Sequence, residues 1–226
     1  MVPMTSGHFD AIVIGAGHNG LVTAAYLQRG GMKTLLLEAR PAVGGTASSE
    51  EFGGAIVNIC NCDHLTFRTT PVIAELDLAA HGLDYIDIEP AQHNMAWTSS
   101  GTSPSWSHHH DLDETLESLS RNFPNEVDGY RRYVEAATPA IKMIFEAAIE
   151  PPSVVGLTKL ALRKKLAGSA TLLRWSRRSA ADVLRSFFSA DAITGPAALT
   201  GPMVWGISPE FKGSGLGALT HAMRHV

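Results

Sequence analysis

The sequence predicts an α/β chain that opens on a parallel βαβ unit, continues through short strands and ends in helices. Three observations carry this prediction. The apolar run Ala11–Ile14 meets the spacing Gly15-x-Gly17-x-x-Gly20, and a second apolar run at 35–37 ends in Glu38. Alternating or β-branched stretches follow between Glu51 and Trp106. From Asp111 onward, apolar residues recur at helical spacing.

The first run is short, β-branched and bounded by glycine, the pattern of a strand buried on both faces of a parallel sheet. Each glycine after it has a separate physical task. Gly15 permits a tight turn, Gly17 lets backbone approach a pyrophosphate, and Gly20 allows close helix packing. A helix starting near His18 directs unpaired N–H groups and a partial positive charge at phosphates, with Asn19 as a further donor and Ala16 within the turn. Small residues from Thr23 to Leu27 continue this helix to Gly30-Gly31, and residues 33–37 form the second strand.

Glu38 follows Gly20 by eighteen residues, close to where a carboxylate accepts the ribose hydroxyls of an adenosine and repels a 2′-phosphate. Together these features read as a Rossmann-like unit for an adenine dinucleotide; the competing reading is a structural glycine turn in an ordinary α/β domain. A second glycine-rich loop follows, running through Ala39, Arg40, Gly44, Gly45 and Thr46. A loop nearly free of side chains can lie against an extended cofactor, with Arg40 and Thr46 available to its polar atoms, and this favours FAD over a plain turn.

With these residues the sequence resembles the FAD-dependent oxidoreductases of the phytoene-desaturase-like group, of the pyridine nucleotide-disulfide oxidoreductase domain 2 type. The resemblance covers the glycine motif from Ile14 to Ala25, the loop from Glu38 to Gly45, and the stretches Gly201-Pro-Met-Val-Trp-Gly206, Gly215-Leu-Gly-Ala-Leu219 and Ala222-Met-Arg-His-Val226. It implies a Rossmann-like FAD-binding βαβ unit with an inserted substrate sheet and a helical cap region, incomplete relative to the family. The expected division is residues 1–70 for the first part of the FAD-binding domain and 71–226 for a partial substrate domain.

In the family a C-terminal half returns to the cofactor domain and completes the flavin and substrate sites. A second protein chain is therefore the expected partner, as in a split enzyme; a truncated product and a shortened binding protein are the alternatives. The implied activity is dehydrogenation or desaturation of a C–C or C–N bond in a largely apolar small molecule. A non-catalytic FAD-binding or scaffold subunit is the alternative. Nothing supplies a second dinucleotide motif for NAD(P)H, and no catalytic acid or base is assigned.

Composition restricts the function classes further. At 226 residues, 45% of them hydrophobic, the chain can bury a core, and its net charge of −4 gives no general reason to expect nucleic acid. The first seven residues lack the charged start and apolar centre of a secretory signal, and no long apolar span exists, so a cytoplasmic protein is expected. The two cysteines, Cys60 and Cys62, are too close for a structural disulfide and read as reduced packing thiols.

In the middle of the chain, Glu51-Phe52 and Ile56-Val57 have strand character, and Thr70-Pro71 marks a helix through Ala80, ended by Gly82. The alternation from Leu83 to Ile88 predicts a strand, and Met95 to Trp106 a hairpin. His108-His109-His110 alternates faces without a recognised carboxylate spacing, so no metal is expected. Asp111 to Glu114 reads as a capping box for a helix through Arg121, leaving the histidines on a solvated turn. His64, beside Asp63, reads as filling a polar niche, with an approach to the flavin as the alternative.

Asn125 to Glu150 predicts one long helix, kinked at Pro139 and stopped by Pro151-Pro152. Beyond it, Lys159, Arg163, Lys164, Lys165, Arg174, Arg177 and Arg178 stand among leucines and Trp175 with no acid between them. This is either an ordinary amphipathic surface or, over 157–178, a contact with an anionic membrane or a partner. Ser179 caps a further helix, and the Gly195-Pro, Gly201-Pro and 213–217 segments read as loops around an apolar wall of Met203, Val204 and Trp205.

Overall fold

In the computed structural model, β1 (Ala11–Ile14) and β2 (Thr34–Leu37) run parallel in the register Ala11↔Thr34 to Ile14↔Leu37, joined by α1 (His18–Arg29). The structure describes residues 7–60, 64–99, 101–149, 153–163 and 167–226. It divides into two units, the first ending at Asp84 and the second beginning at Tyr85. The expectations for Cys62, Asp63, Pro151-Pro152, Lys164 and Lys165 lie outside the described residues.

The crossover is right for a parallel pair, since such strands need a helix-length connection. The burial expected on both faces is not found. Val13 lies toward α1, within reach of Gly20, while Ile12 and Ile14 are 59% and 85% exposed. The reason is that, among the described residues, the sheet has only these two strands and α1 covers one side. An open apolar sheet face of this kind lacks the second layer that normally accompanies a parallel sheet.

Next, β3 (Ser49–Phe52) and β4 (Ala55–Asn58) form an antiparallel hairpin through Gly53-Gly54, both left-handed as a two-residue turn requires. α2 (Leu65–Arg68) and α3 (Val72–Glu75) follow. The helix expected to run through Ala80 is a single turn, because Asp77 enters the left-handed region at φ +49° and only turns continue to Gly82. Residues 83–88 form no strand despite their alternation.

The second unit begins with β5 (Gln92–Asn94), β6 (Trp97–Thr98), β7 (Gly101–Thr102) and β8 (Trp106–His108). β5 pairs antiparallel with β8 and β6 with β7, so the predicted hairpin is present. α4 (Leu112–Asn122) starts where Asp111 Oδ1 accepts the Glu114 N–H at 3.0 Å. α5 (Val127–Ala148) contains Pro139, and α6 (Val154–Arg163) and α7 (Ala167–Trp175) carry the basic region.

α8 (Ala180–Arg185) is capped by Ser179, whose Oγ accepts the Asp182 N–H at 3.0 Å. α9 (Asp191–Thr200) absorbs Gly195-Pro196, which the sequence places in a loop. Two 3-10 segments, Pro202–Trp205 and Ser214–His225, complete the unit. The second replaces the loop expected at 213–217.

The core belongs to this second unit. Tyr130, Tyr133, Val134, Ala137 and Ile141 form the buried stripe of α5 against Trp175, Val183, Leu184, Phe188 and Leu219. Tyr133 and Trp175 are parallel with centroids 6.2 Å apart, and Trp106 donates its indole N–H to the Ala192 carbonyl at 2.9 Å. Aromatic pairs of this kind add roughly 0.5–1.5 kcal/mol beyond area burial. Trp175 is therefore a core residue, not a member of a basic amphipathic surface. The buried Glu126 carboxylate accepts the Ser189 N–H at 3.1 and 3.2 Å, which ties the start of α5 to the segment before α9.

Candidate functional site

The turn from β1 into α1 is built around positions where a side chain has no room or no allowed conformation. Gly15 takes φ +95° and donates its N–H to the Leu37 carbonyl at 2.7 Å, which brings the turn against the end of β2. Open space surrounds the position its Cβ would occupy. At Gly20 the opposite holds: an added Cβ would lie 1.9 Å from the Gly15 carbonyl oxygen, so close packing of helix on turn requires glycine there.

The second glycine loop is joined to this turn. The Gly44 N–H donates to the Ala16 carbonyl at 2.8 Å, and Gly17 and Gly44 form an isolated parallel bridge. Gly44 is left-handed at φ +119° and Gly45 at φ +60°, and a Cβ on Gly45 would come within 2.9 Å of the Gly17 Cα. The structure thus brings together the two glycine stretches that the sequence separates by more than twenty residues.

Glu38 closes the arrangement in a way the sequence did not disclose. Its Oε2 accepts the Ala16 N–H at 2.7 Å and its Oε1 accepts the Arg40 N–H at 2.9 Å. The Arg40 N–H leads, with the Ala16 N–H next, in holding this carboxyl below the usual carboxylate range. Each carboxylate oxygen keeps a further lone pair, so the group can still accept ribose hydroxyls. Arg40 in turn donates Nη2 to the Gly45 carbonyl at 2.8 Å, and Ala39 is exposed beside it.

The N-terminus of α1 is open. Gly17 is its extended N-cap, with no side-chain cap and no acidic residue in the first turn. These N–H groups carry partial positive charge and suit an anion. Asn19 is exposed on the first turn, and Thr46 is exposed within the 3-10 turn Gly45–Ala47. A turn needing positive φ in open space, an uncapped helix start and an ionised carboxylate at the end of β2 fit the adenosine and pyrophosphate end of a dinucleotide.

Other candidates are placed differently from expectation. Cys60 is an exposed free thiol and not a packing residue. His64, at φ +51°, meets Phe67 edge-on at 6.0 Å. His108 is buried, not solvated: it lies on β8 against His221 and His225, with centroids 4.4 and 4.7 Å away, and its Nε2 is 3.1 Å from His225 Nε2. His221 and His225 are four residues apart near the chain's end, a spacing that signals a shared face; the pairing with His108 across more than 100 residues has no local signal.

Two surface depressions avoid the glycine loops. One, of about 580 Å³, lies at the other end of α1 beside Arg29, Glu75 and His81. The other, of about 610 Å³ in the second unit, is lined by Arg132, Arg174 and Arg178 with Glu135, and by Trp175 and Phe187. Met203, Val204 and Trp205 lie outside it and are exposed.

Comparison with known proteins agrees with this geometry. Residues 13–76 match the NAD(P)-binding Rossmann-like domain family. The chain is 35% identical over 153 residues to one of the subunits of the limonene dehydrogenase of Castellaniella defragrans, covering 67% of this chain and 27% of that protein. It is 46% identical over 76 residues to the mouse pyridine nucleotide-disulfide oxidoreductase domain-containing protein 2, covering 33% and 13%. A lycopene-forming phytoene desaturase of Pseudescherichia vulneris is 28% identical over 134 residues, covering 54% and 25%. The matches thus span about a quarter or less of these relatives' lengths.

Among solved structures, putrescine oxidase bound to putrescine superposes with a TM-score of 0.52 at 18% identity, over 93% of this chain and 40% of that one. The fold is therefore Rossmann-like at its start and similar to that oxidase along most of its length. Residues 13–76 thus resemble an NAD(P)-binding Rossmann-like domain, and the chain is similar, over part of their length, to a phytoene desaturase and to the pyridine nucleotide-disulfide oxidoreductase domain 2 proteins.

Proposed function

We propose that this chain is the cofactor-binding part of an FAD-dependent oxidoreductase that dehydrogenates or desaturates a C–C or C–N bond in a largely apolar small molecule. The observation that carries the reading is the joining of the Gly15–Gly20 turn to Gly44–Gly45 through Ala16, with Glu38 fixed at the end of β2. FAD, when bound, supplies the two-electron oxidation. The chain's own residues bind and orient it. The first turn of α1, with Gly15, Ala16, Gly17, Asn19 and Gly20, holds the pyrophosphate, and Glu38 accepts the ribose hydroxyls. Ala39, Arg40, Gly44, Gly45 and Thr46 form the second wall.

The names of the relatives, a limonene dehydrogenase subunit and a phytoene desaturase, support an apolar substrate, and exposed Met203, Val204 and Trp205 offer apolar surface. A further polypeptide completes the site in this reading. Ile12 and Ile14 on the open face of β1, and Phe52 and Ile56 on the β3–β4 hairpin, are large apolar side chains in solvent, which a second chain can bury. That the limonene dehydrogenase relative is itself one subunit of its enzyme supports the same assembly.

Among the described residues no helix is long and apolar enough to cross a membrane. Peripheral contact through 157–178 rests on α6, where Val154, Val155, Leu157 and Leu162 are exposed near Lys159.

The test is to purify the full chain alone and co-expressed with a candidate partner, record visible spectra and identify the released cofactor by mass spectrometry. FAD is expected in at least the co-expressed preparation, and Glu38→Ala is expected to reduce its retention at least ~10-fold along with turnover. No yellow chromophore in either preparation overturns the FAD assignment. Turnover that survives loss of the flavin leaves the chain a scaffold subunit.

A further inference from the structure

The second unit contains a cluster of ligand-type atoms that the proposed flavin chemistry does not use. His109 Nδ1 lies 3.2 Å from Glu89 Oε2 and 3.1 Å from Glu114 Oε2, and the three donor atoms all fall within 4.8 Å of one another. Glu89 precedes β5, His109 follows β8 and Glu114 sits in the first turn of α4. The carboxylates missing from the local spacing around the histidine run therefore arrive from both sides along the chain.

His109 Nδ1 is shielded from solvent, yet it has no hydrogen-bond partner of acceptable geometry among the described residues. A shielded imidazole nitrogen facing two carboxylate oxygens without a hydrogen bond is unfavourable unless positive charge, from a proton or a metal ion, lies between them. The two nitrogen-to-oxygen spacings suit an ion. Two ligands each ~2.1 Å from a metal are ~3.0 Å apart at octahedral angles and ~3.4 Å apart at tetrahedral ones.

The ligands are also supported from behind. Glu89 Oε1, the oxygen turned away from His109, accepts the His110 N–H at 3.0 Å and contacts the His110 ring nitrogen. The His109 N–H donates to Thr115 Oγ1 at 2.9 Å, which ties the histidine's backbone to the same helical turn that carries Glu114. Outer hydrogen bonds of this kind fix ligand orientation in metal sites.

We propose that Glu89, His109 and Glu114 bind one first-row divalent transition ion of the Zn²⁺ class, joining the segment before β5 to the start of α4. One imidazole and two carboxylates form a mixed nitrogen and oxygen set that suits Zn²⁺ or Co²⁺; Mg²⁺ and Ca²⁺ favour oxygen alone. Water fills the remaining positions.

The experiment uses the untagged full chain stripped with a chelator, titrated with Zn²⁺ by calorimetry and with Co²⁺ by visible absorption. One ion per chain is expected, with a Co²⁺ d–d band. Zn²⁺ at ~100 times its dissociation constant is expected to raise the thermal midpoint by about 5–10 °C. Glu114→Gln, at an exposed position, and His109→Ala each weaken binding at least tenfold, while Glu117→Gln one turn along α4 binds as the parent does. Absence of binding overturns the site, as does an affinity unchanged in both Glu114→Gln and His109→Ala. Because the readouts are binding and melting, failure here leaves the flavin reading untouched.

Discussion

Glu38 has two tasks that a sequence pattern cannot separate. In the proposed function it accepts the ribose hydroxyls of the cofactor, and by geometry it is the clasp that holds Ala16 and Arg40 in place through its two oxygens. The clasp shapes the turn before any ligand arrives, so less order has to be imposed on binding. Gly20 is the most demanding residue of the same turn, since a methyl group there would sit 1.9 Å from the Gly15 carbonyl oxygen. We expect Gly20→Ala to force α1 away from the turn, destabilise the first unit by about 1–3 kcal/mol and abolish retention of the cofactor. Hydrogen exchange of the Ala16 and Gly17 amides, with flavin absorbance, checks this; protected amides and retained flavin in the variant contradict it.

At the scale of elements, the helix starts show how local chemistry becomes structure. Asp111 accepts the Glu114 N–H and Ser179 accepts the Asp182 N–H, each three residues ahead, as the capping pattern requires. Asp111→Ala is expected to cost about 1 kcal/mol in urea unfolding followed by tryptophan fluorescence. All four tryptophans lie beyond residue 84, so that signal reports the second unit. An unchanged midpoint would show that the cap adds nothing.

These starts were legible in the sequence, as were β1, α1, β2 and the glycine turn, because each is decided within a few residues. What was not legible depends on partners distant along the chain. The apolar run Ala11–Ile14 is the pattern of a doubly covered strand, but only its α1 side is covered among the described residues. Trp175 stands among arginines and leucines and yet stacks on Tyr133, because α7 packs on α5. The histidine run reads as solvated until β8 carries His108 inward and Glu89 meets His109. Asp77 ends α3 early through a left-handed backbone that its residue type permits but does not announce.

Across the whole molecule the two units are held by different means. In the first, the buried apolar residues among those described are Ala16 and Ala24, so polar contacts such as the clasp at Glu38 carry a larger share of its order. The second has a continuous aromatic core with histidines enclosed in it. His221 is 2% exposed and hydrogen-bonds Thr200 Oγ1 through Nδ1 at 3.1 Å. Trp106 and His108 from β8, and Tyr130 from α5, pack around it, with Arg224 and His225 on its own segment. Burial first, then the nearby His225 and Arg224, pushes its pKa down to about 3 from 6.5.

The sign of the pH effect follows from that displacement. Above pH 6.5 the group is neutral in both folded and unfolded chains and contributes nothing to the slope. Between 6.5 and 3 the unfolded chain takes up a proton that the folded one refuses, so stability falls as pH falls, by about 1.4 kcal/mol per pH unit for this one histidine. His221→Gln keeps an amide within reach of Thr200 and removes the titration. Urea unfolding by tryptophan fluorescence at pH 7, 6, 5 and 4 is expected to give the variant a slope shallower by about that amount, despite its lower stability at pH 7. Equal slopes in parent and variant would mean that His221 is protonated in the folded chain, and so that water reaches the core between β8 and α5.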